Sequence, residues 1–171
     1  RIGGEMKPQL RSEVRKLLST RAAYWFLLGA MALCVMAVLS ISGQPASEVA
    51  KPLHEQQFFF LSTFVKLLIV VVGIRIVTDE YRFGTVTPTF TFSPRRGNVI
   101  VSKTIVAAAA GVVIAVIAEA TLLATAFGMF ALNGNELALG AGDVRSLAGS
   151  VLAGGLWAVI GVGVGAIVRN Q

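Results

Sequence analysis

The chain has 171 residues, 55% of them hydrophobic and only 14% charged, against roughly a quarter charged in ordinary soluble domains. With a mean hydropathy of +0.75, it has too little polar surface to clothe a soluble core and too little charge for a disordered chain. Its net charge of +6 sits between apolar stretches. That pattern argues against nucleic acid as a partner and for membrane topology and anionic lipid.

In chain order, Met6 is a candidate native start, with residues 1–5 an upstream extension. Residues 8–20, PQLRSEVRKLLST, then carry Leu10, Val14, Leu17 and Leu18 at the spacing of one helix face. Arg11, Arg15, Lys16 and Ser19 fall on the other face, and Pro8 suits a first helical turn. A short basic amphipathic helix beside a membrane span is expected to lie in the interface.

Residues 22–41 form an uncharged run long enough to cross a hydrocarbon core, with Tyr24 and Trp25 where an interfacial aromatic belt belongs. A secretory signal would have a shorter apolar core. Three further spans are expected: 58–77, containing Lys66 and Arg75; 105–127, containing Glu119; and 147–168, uncharged and glycine-rich. The apolar character of the third begins earlier, at Val99, so its helix is expected to project out of the membrane.

Lys and Arg counts orient the chain. The N-terminal segment holds Arg1, Lys7, Arg11, Arg15, Lys16 and Arg21; the 78–104 loop holds Arg82, Arg95, Arg96 and Lys103; Arg169 follows the last span. The 42–57 and 128–146 loops hold only Lys51 and Arg145. Both termini and the 78–104 loop are therefore expected in the cytoplasm. The fold class is an all-α polytopic bundle: a tail and elbow helix over 1–21, then a four-span membrane domain over 22–171.

Few residues suggest chemistry. The single Cys34 can form no disulfide within the chain, and the single His54 lies outside the spans, so a haem anchor has no ligand there. Gly97 to Thr104 nearly matches a phosphate-binding loop, but Ser102 replaces the second glycine and no core strand leads into it. It reads as a chance match. No enzyme site and no metal or cofactor site is identified. Glu119 and Lys66 are ionisable groups inside spans, offset by about 5 Å along their helices, and a buried pair between them is one reading. Contact with water or another subunit is a second, and proton coupling at Glu119 a third. Arg75, near the cytoplasmic end, reads as a snorkelling anchor. Gly154, Ala158, Gly161 and Gly165 form a small-residue stripe suited to close helix packing, within the chain or between subunits.

The 78–98 segment, TDEYRFGTVTPTFTFSPRRGN, combines acidic residues, aromatics, prolines and a basic pair on the expected cytoplasmic side. Exposed aromatics call for lipid or a partner. Its pattern suits either a short helix or an extended segment.

Three stretches together resemble the permeases of bacterial ATP-binding-cassette transporters of the type-2 exporter class. They are Leu10 to Arg21; Glu80-Tyr-Arg-Phe-Gly-Thr85 with Thr87-Pro-Thr89, Ser93-Pro-Arg-Arg96 and Lys103; and Gly165 to Gln171. The resemblance covers essentially the whole chain. It implies an integral membrane subunit of the bacterial cell membrane, paired with a second permease copy or a homologue. A separate cytoplasmic subunit would bind and hydrolyse ATP with Mg. Asp79, Glu80, Tyr81, Arg82, Phe83, Gly84, Thr85, Phe90 and Phe92 would then couple the bundle to that subunit. Six spans per permease are implied, so the chain corresponds to about the first two thirds of one. A small proton-coupled carrier using Glu119 and a non-transporting anchor subunit are the alternatives.

Overall fold

The computed structural model describes residues 3–41, 53–82, 96–132 and 141–168. Those residues form five helices and no strand: α1 (Gly3–Ser19), α2 (Arg21–Ile41), α3 (Leu53–Arg82), α4 (Arg96–Leu132) and α5 (Ala141–Val168). Among the described residues, three helices are long and apolar enough to cross a membrane, over Arg21–Ser40, Val99–Met129 and Val144–Val168. This marks a multi-pass membrane chain.

The helices run past the apolar runs. Residues 78–82 complete α3 and residues 96–104 open α4, so both ends of the expected 78–104 loop are helical. Intrahelical hydrogen bonding does not stop where hydropathy falls, because polar residues such as Glu, Lys and Arg are good helix formers. At 37 residues, α4 is about 55 Å long, well beyond a hydrocarbon core of about 30 Å. The first helix also starts earlier than expected. It begins at Gly3, which puts Pro8 inside it, where the proline has no N–H to offer the Gly4 carbonyl.

α1 and α2 are separated by Thr20 alone. The Thr20 hydroxyl donates to the Lys16 carbonyl at 2.8 Å, as the Ser19 hydroxyl does at 2.9 Å. The Thr20 carbonyl accepts from the Ala23 N–H at 3.0 Å. Thr20 thus terminates one helix and opens the next.

α4 lies at the centre and touches all four other helices, while α3 and α5 share the most extensive interface. The core is built from small side chains: Ala30, Cys34 and Val38 of α2; Val65 and Ile69 of α3; Ala107, Ala115 and Ala118 of α4; Ala158 and Val162 of α5. The outer surface is apolar as well. Trp25, Met36, Leu67, Val113, Leu152, Leu156 and Ile167 all stand exposed, a surface suited to lipid. Hydroxyls within the spans bond to their own helix: Thr121 to the Ile117 carbonyl at 2.8 Å, and Thr125 to that of Thr121 at 2.7 Å. Every buried side-chain nitrogen or oxygen among the described residues has a partner, as an apolar solvent demands.

Candidate functional site

Two polar centres and one apolar seam organise the bundle. The first polar centre ties α1 to the start of α4. Lys103 Nζ lies 2.9 Å from Glu13 Oε2, with both side chains over nine-tenths buried. Lys16 Nζ reaches the other carboxylate oxygen, Oε1, at 2.9 Å. Lys103 also donates to the Ile76 carbonyl of α3 at 3.4 Å, and the Ser102 hydroxyl donates to Gln9 Oε1 at 3.5 Å. One ammonium therefore joins three helices. Glu13 shares its charge between two lysines, which offsets the desolvation that burial imposes on an ion pair.

This centre fixes the rotation of α1. Gln9, Glu13 and Leu17 recur at i and i+4 on the side facing α4. The face expected to be uniformly apolar is divided: Leu10 and Leu17 are half-buried, while Val14 and Leu18 are exposed. Sequence reasoning did not single out Glu13. Its spacing from Gln9 and Lys16 was visible, but its partner is far away along the chain. The near match to a phosphate loop is helical throughout, and Lys103 is engaged by a carboxylate.

The second centre is half-buried, within the apolar part of the bundle. Ser150 of α5 donates a side-chain hydrogen bond to Glu119 of α4, and Lys66 of α3 is close enough for its charge to act on that carboxylate. Glu119 in turn acts on the buried Cys34 of α2. Side chains of α3 and α5 thus meet Glu119 of α4. Ser150 was missed, although it extends the small-residue stripe by one turn, four residues before Gly154.

The seam holds α5 against α3 and α4. Gly154, Ala158, Gly161 and Gly165 are all buried. A Cβ added at Gly161 would strike the Val70 carbonyl oxygen, and one at Gly73 the Ala158 carbonyl oxygen. One at Gly154 would sit 2.8 Å from Ala115 Cβ, and one at Gly165 2.9 Å from the Ile74 carbonyl oxygen. Backbones approach this closely only where side chains are absent. The stripe is therefore occupied by this chain's own helices.

Among the residues assigned to coupling, Asp79 is engaged by Arg75 of its own helix. Arg75 Nη2 lies 3.1 Å from Asp79 Oδ1, and Nε lies 3.3 Å from each carboxylate oxygen. Arg75, expected as a snorkelling anchor, is thus paired within its own helix. Glu80, Tyr81 and Arg82 form the last turn of α3. Phe83, Gly84, Thr85, Phe90 and Phe92 lie outside the described residues.

Comparison with models of known protein families, with curated proteins and with solved structures gave no match.

Proposed function

We propose that the chain is the membrane-spanning permease subunit of an ATP-driven exporter of the bacterial cell membrane. α2 to α5 would be four spans, with both termini and the 83–95 segment in the cytoplasm. α3 is read as a span because its Gly73 meets Gly161 of α5, inside the stretch of α5 that qualifies as a span. The observation that carries the reading is the Lys103 centre. It bonds Glu13 of α1 and the Ile76 carbonyl near the end of α3, from a position near the start of α4. A push delivered to the segment between α3 and α4 would reach three helices at once. An ATPase subunit docking on Glu80 to Phe92 would exploit such a unit to rock the bundle between two states.

Co-purification tests the partnership: a nucleotide-binding subunit is expected to accompany the chain from its native membrane. In reconstituted vesicles, Glu80→Ala and Phe90→Ala are expected to abolish substrate-stimulated ATP hydrolysis while leaving the bundle folded. Unchanged stimulation in both variants would refute the coupling assignment.

The convergence of Lys66 and Ser150 on Glu119 favours a second reading, a proton-coupled carrier. Under the exporter reading, Glu119→Gln leaves ATP-driven transport intact. Transport driven by a pH gradient alone and lost in Glu119→Gln would favour the carrier.

A further inference from the structure

We infer that the outward side of α1, with the first turns of α2, is a docking surface for anionic lipid headgroups. Residues 8–21 contain four cations, Arg11, Arg15, Lys16 and Arg21, and one anion, Glu13. In sequence the helix has mixed charge. In the structure Glu13 is withdrawn into the bundle, with its side chain 8% exposed, and is matched by Lys103 of α4 and by Lys16. Among residues 8–21, what faces outward carries positive charge alone.

The geometry follows from the rotation of α1. At about 100° per residue, Arg11 and Arg15 fall on the side opposite Glu13, with Leu18 next to them and Val14 beyond it. Both arginines are exposed, as are Val14 at 42% and Leu18 at 58%. The remaining polar side chains of this side bond to their own backbone: Ser12 to the Gln9 carbonyl at 2.8 Å and Ser19 to that of Lys16 at 2.9 Å. The arginines are left to reach outward. Past Thr20, Arg21 and Trp25 are exposed on the side of α2 opposite its buried Ala30, Cys34, Ala37 and Val38. Guanidinium groups beside apolar side chains and an interfacial tryptophan complement a phosphate headgroup layer above acyl chains. Charge complementarity selects anionic over zwitterionic lipid, at about fivefold per basic residue near the surface.

The test uses the full chain carrying Trp157→Phe, which leaves Trp25 as sole tryptophan. It is reconstituted in phosphatidylcholine vesicles containing either brominated phosphatidylglycerol or brominated phosphatidylcholine. Trp25 quenching is expected to report an enrichment of the anionic lipid of about fivefold or more, reduced by high salt. Arg11→Gln, Arg15→Gln and Arg21→Gln together are expected to bring the enrichment to about one. The corresponding triple change to Lys is expected to keep it, which separates charge from any damage to the fold. Equal quenching by the two lipids in the parent chain overturns the inference and leaves an acidic protein surface as the occupant. Enrichment that survives the triple Gln change, or is lost in the triple Lys change, also overturns it.

Discussion

The α1–α4 contact and the α3–α5 seam hold the same bundle together by opposite means. At the first, two full charges meet at 2.9 Å in a place almost closed to solvent. At the second, Gly73 and Gly161 carry no side chain and let two backbones touch. The seam acts through many weak dispersion contacts that vanish with a small separation. The tether acts through a few strong interactions centred on Glu13, whose loss would strand the buried Lys103. The seam therefore tolerates losing a polar atom but not gaining a methyl group. The tether tolerates a change of shape better than a loss of charge.

The sharpest way to break the comparison is to remove one charge. Lys103→Ala is expected to cost at the lower end of about 3–5 kcal/mol, the usual range when one partner of a buried pair is lost, because Lys16 stays on Glu13; the loss is read as unfolding free energy in detergent. Glu13→Leu combined with Lys103→Met is expected to recover most of it, since an apolar pair of similar volume is often neutral. If the double variant were as unstable as the single one, the tether would owe its effect to something other than stranded charge.

Next comes overpacking of the seam. Gly161→Val is expected to cost at the upper end of about 1–3 kcal/mol, because the added atoms meet the Val70 backbone, not a movable side chain. Gly163→Ala serves as its control on the same helix. Nothing lies within 4 Å of a Cβ there, so its effect is expected to stay within about 1 kcal/mol, on the stabilising side. Similar losses at both positions would mean that glycine matters to α5 for flexibility and not for close approach.

The smallest effect is expected at the Arg75–Asp79 pair, whose side chains are 33% and 25% exposed. Asp79→Ala is expected to cost no more than about 0.5 kcal/mol, the value of an i,i+4 helix pair, because the freed guanidinium can snorkel to the interface. A loss comparable to that of Lys103→Ala would show that Arg75 is held in the apolar layer.

Much of this molecule is legible along the chain. Three apolar runs declare α2, α4 and α5, because transfer of about 20 successive side chains from water to hydrocarbon is a local sum that needs no knowledge of the rest. The stripe from Gly154 to Gly165 declares a packing face for the same reason, since helical periodicity is local. Where the helices end was less legible. Hydropathy marks the edge of the apolar layer, whereas helix hydrogen bonding continues through Arg82 and begins again at Arg96.

Only the tertiary structure decided which side of α1 turns inward. Val14 and Leu18 looked as suited to the core as Leu10 and Leu17, and Glu13 looked like one more exposed charge. The partner that settles the matter, Lys103, is 90 residues away, and nothing in the spacing of either residue points to the other. The same holds for Ser150 and Cys34 beside Glu119, whereas the depth of Lys66 along its helix did point to Glu119. A span is a property of one segment. A buried charge is tolerable only if an opposite charge or a donor arrives from another helix, and that depends on how the helices pack.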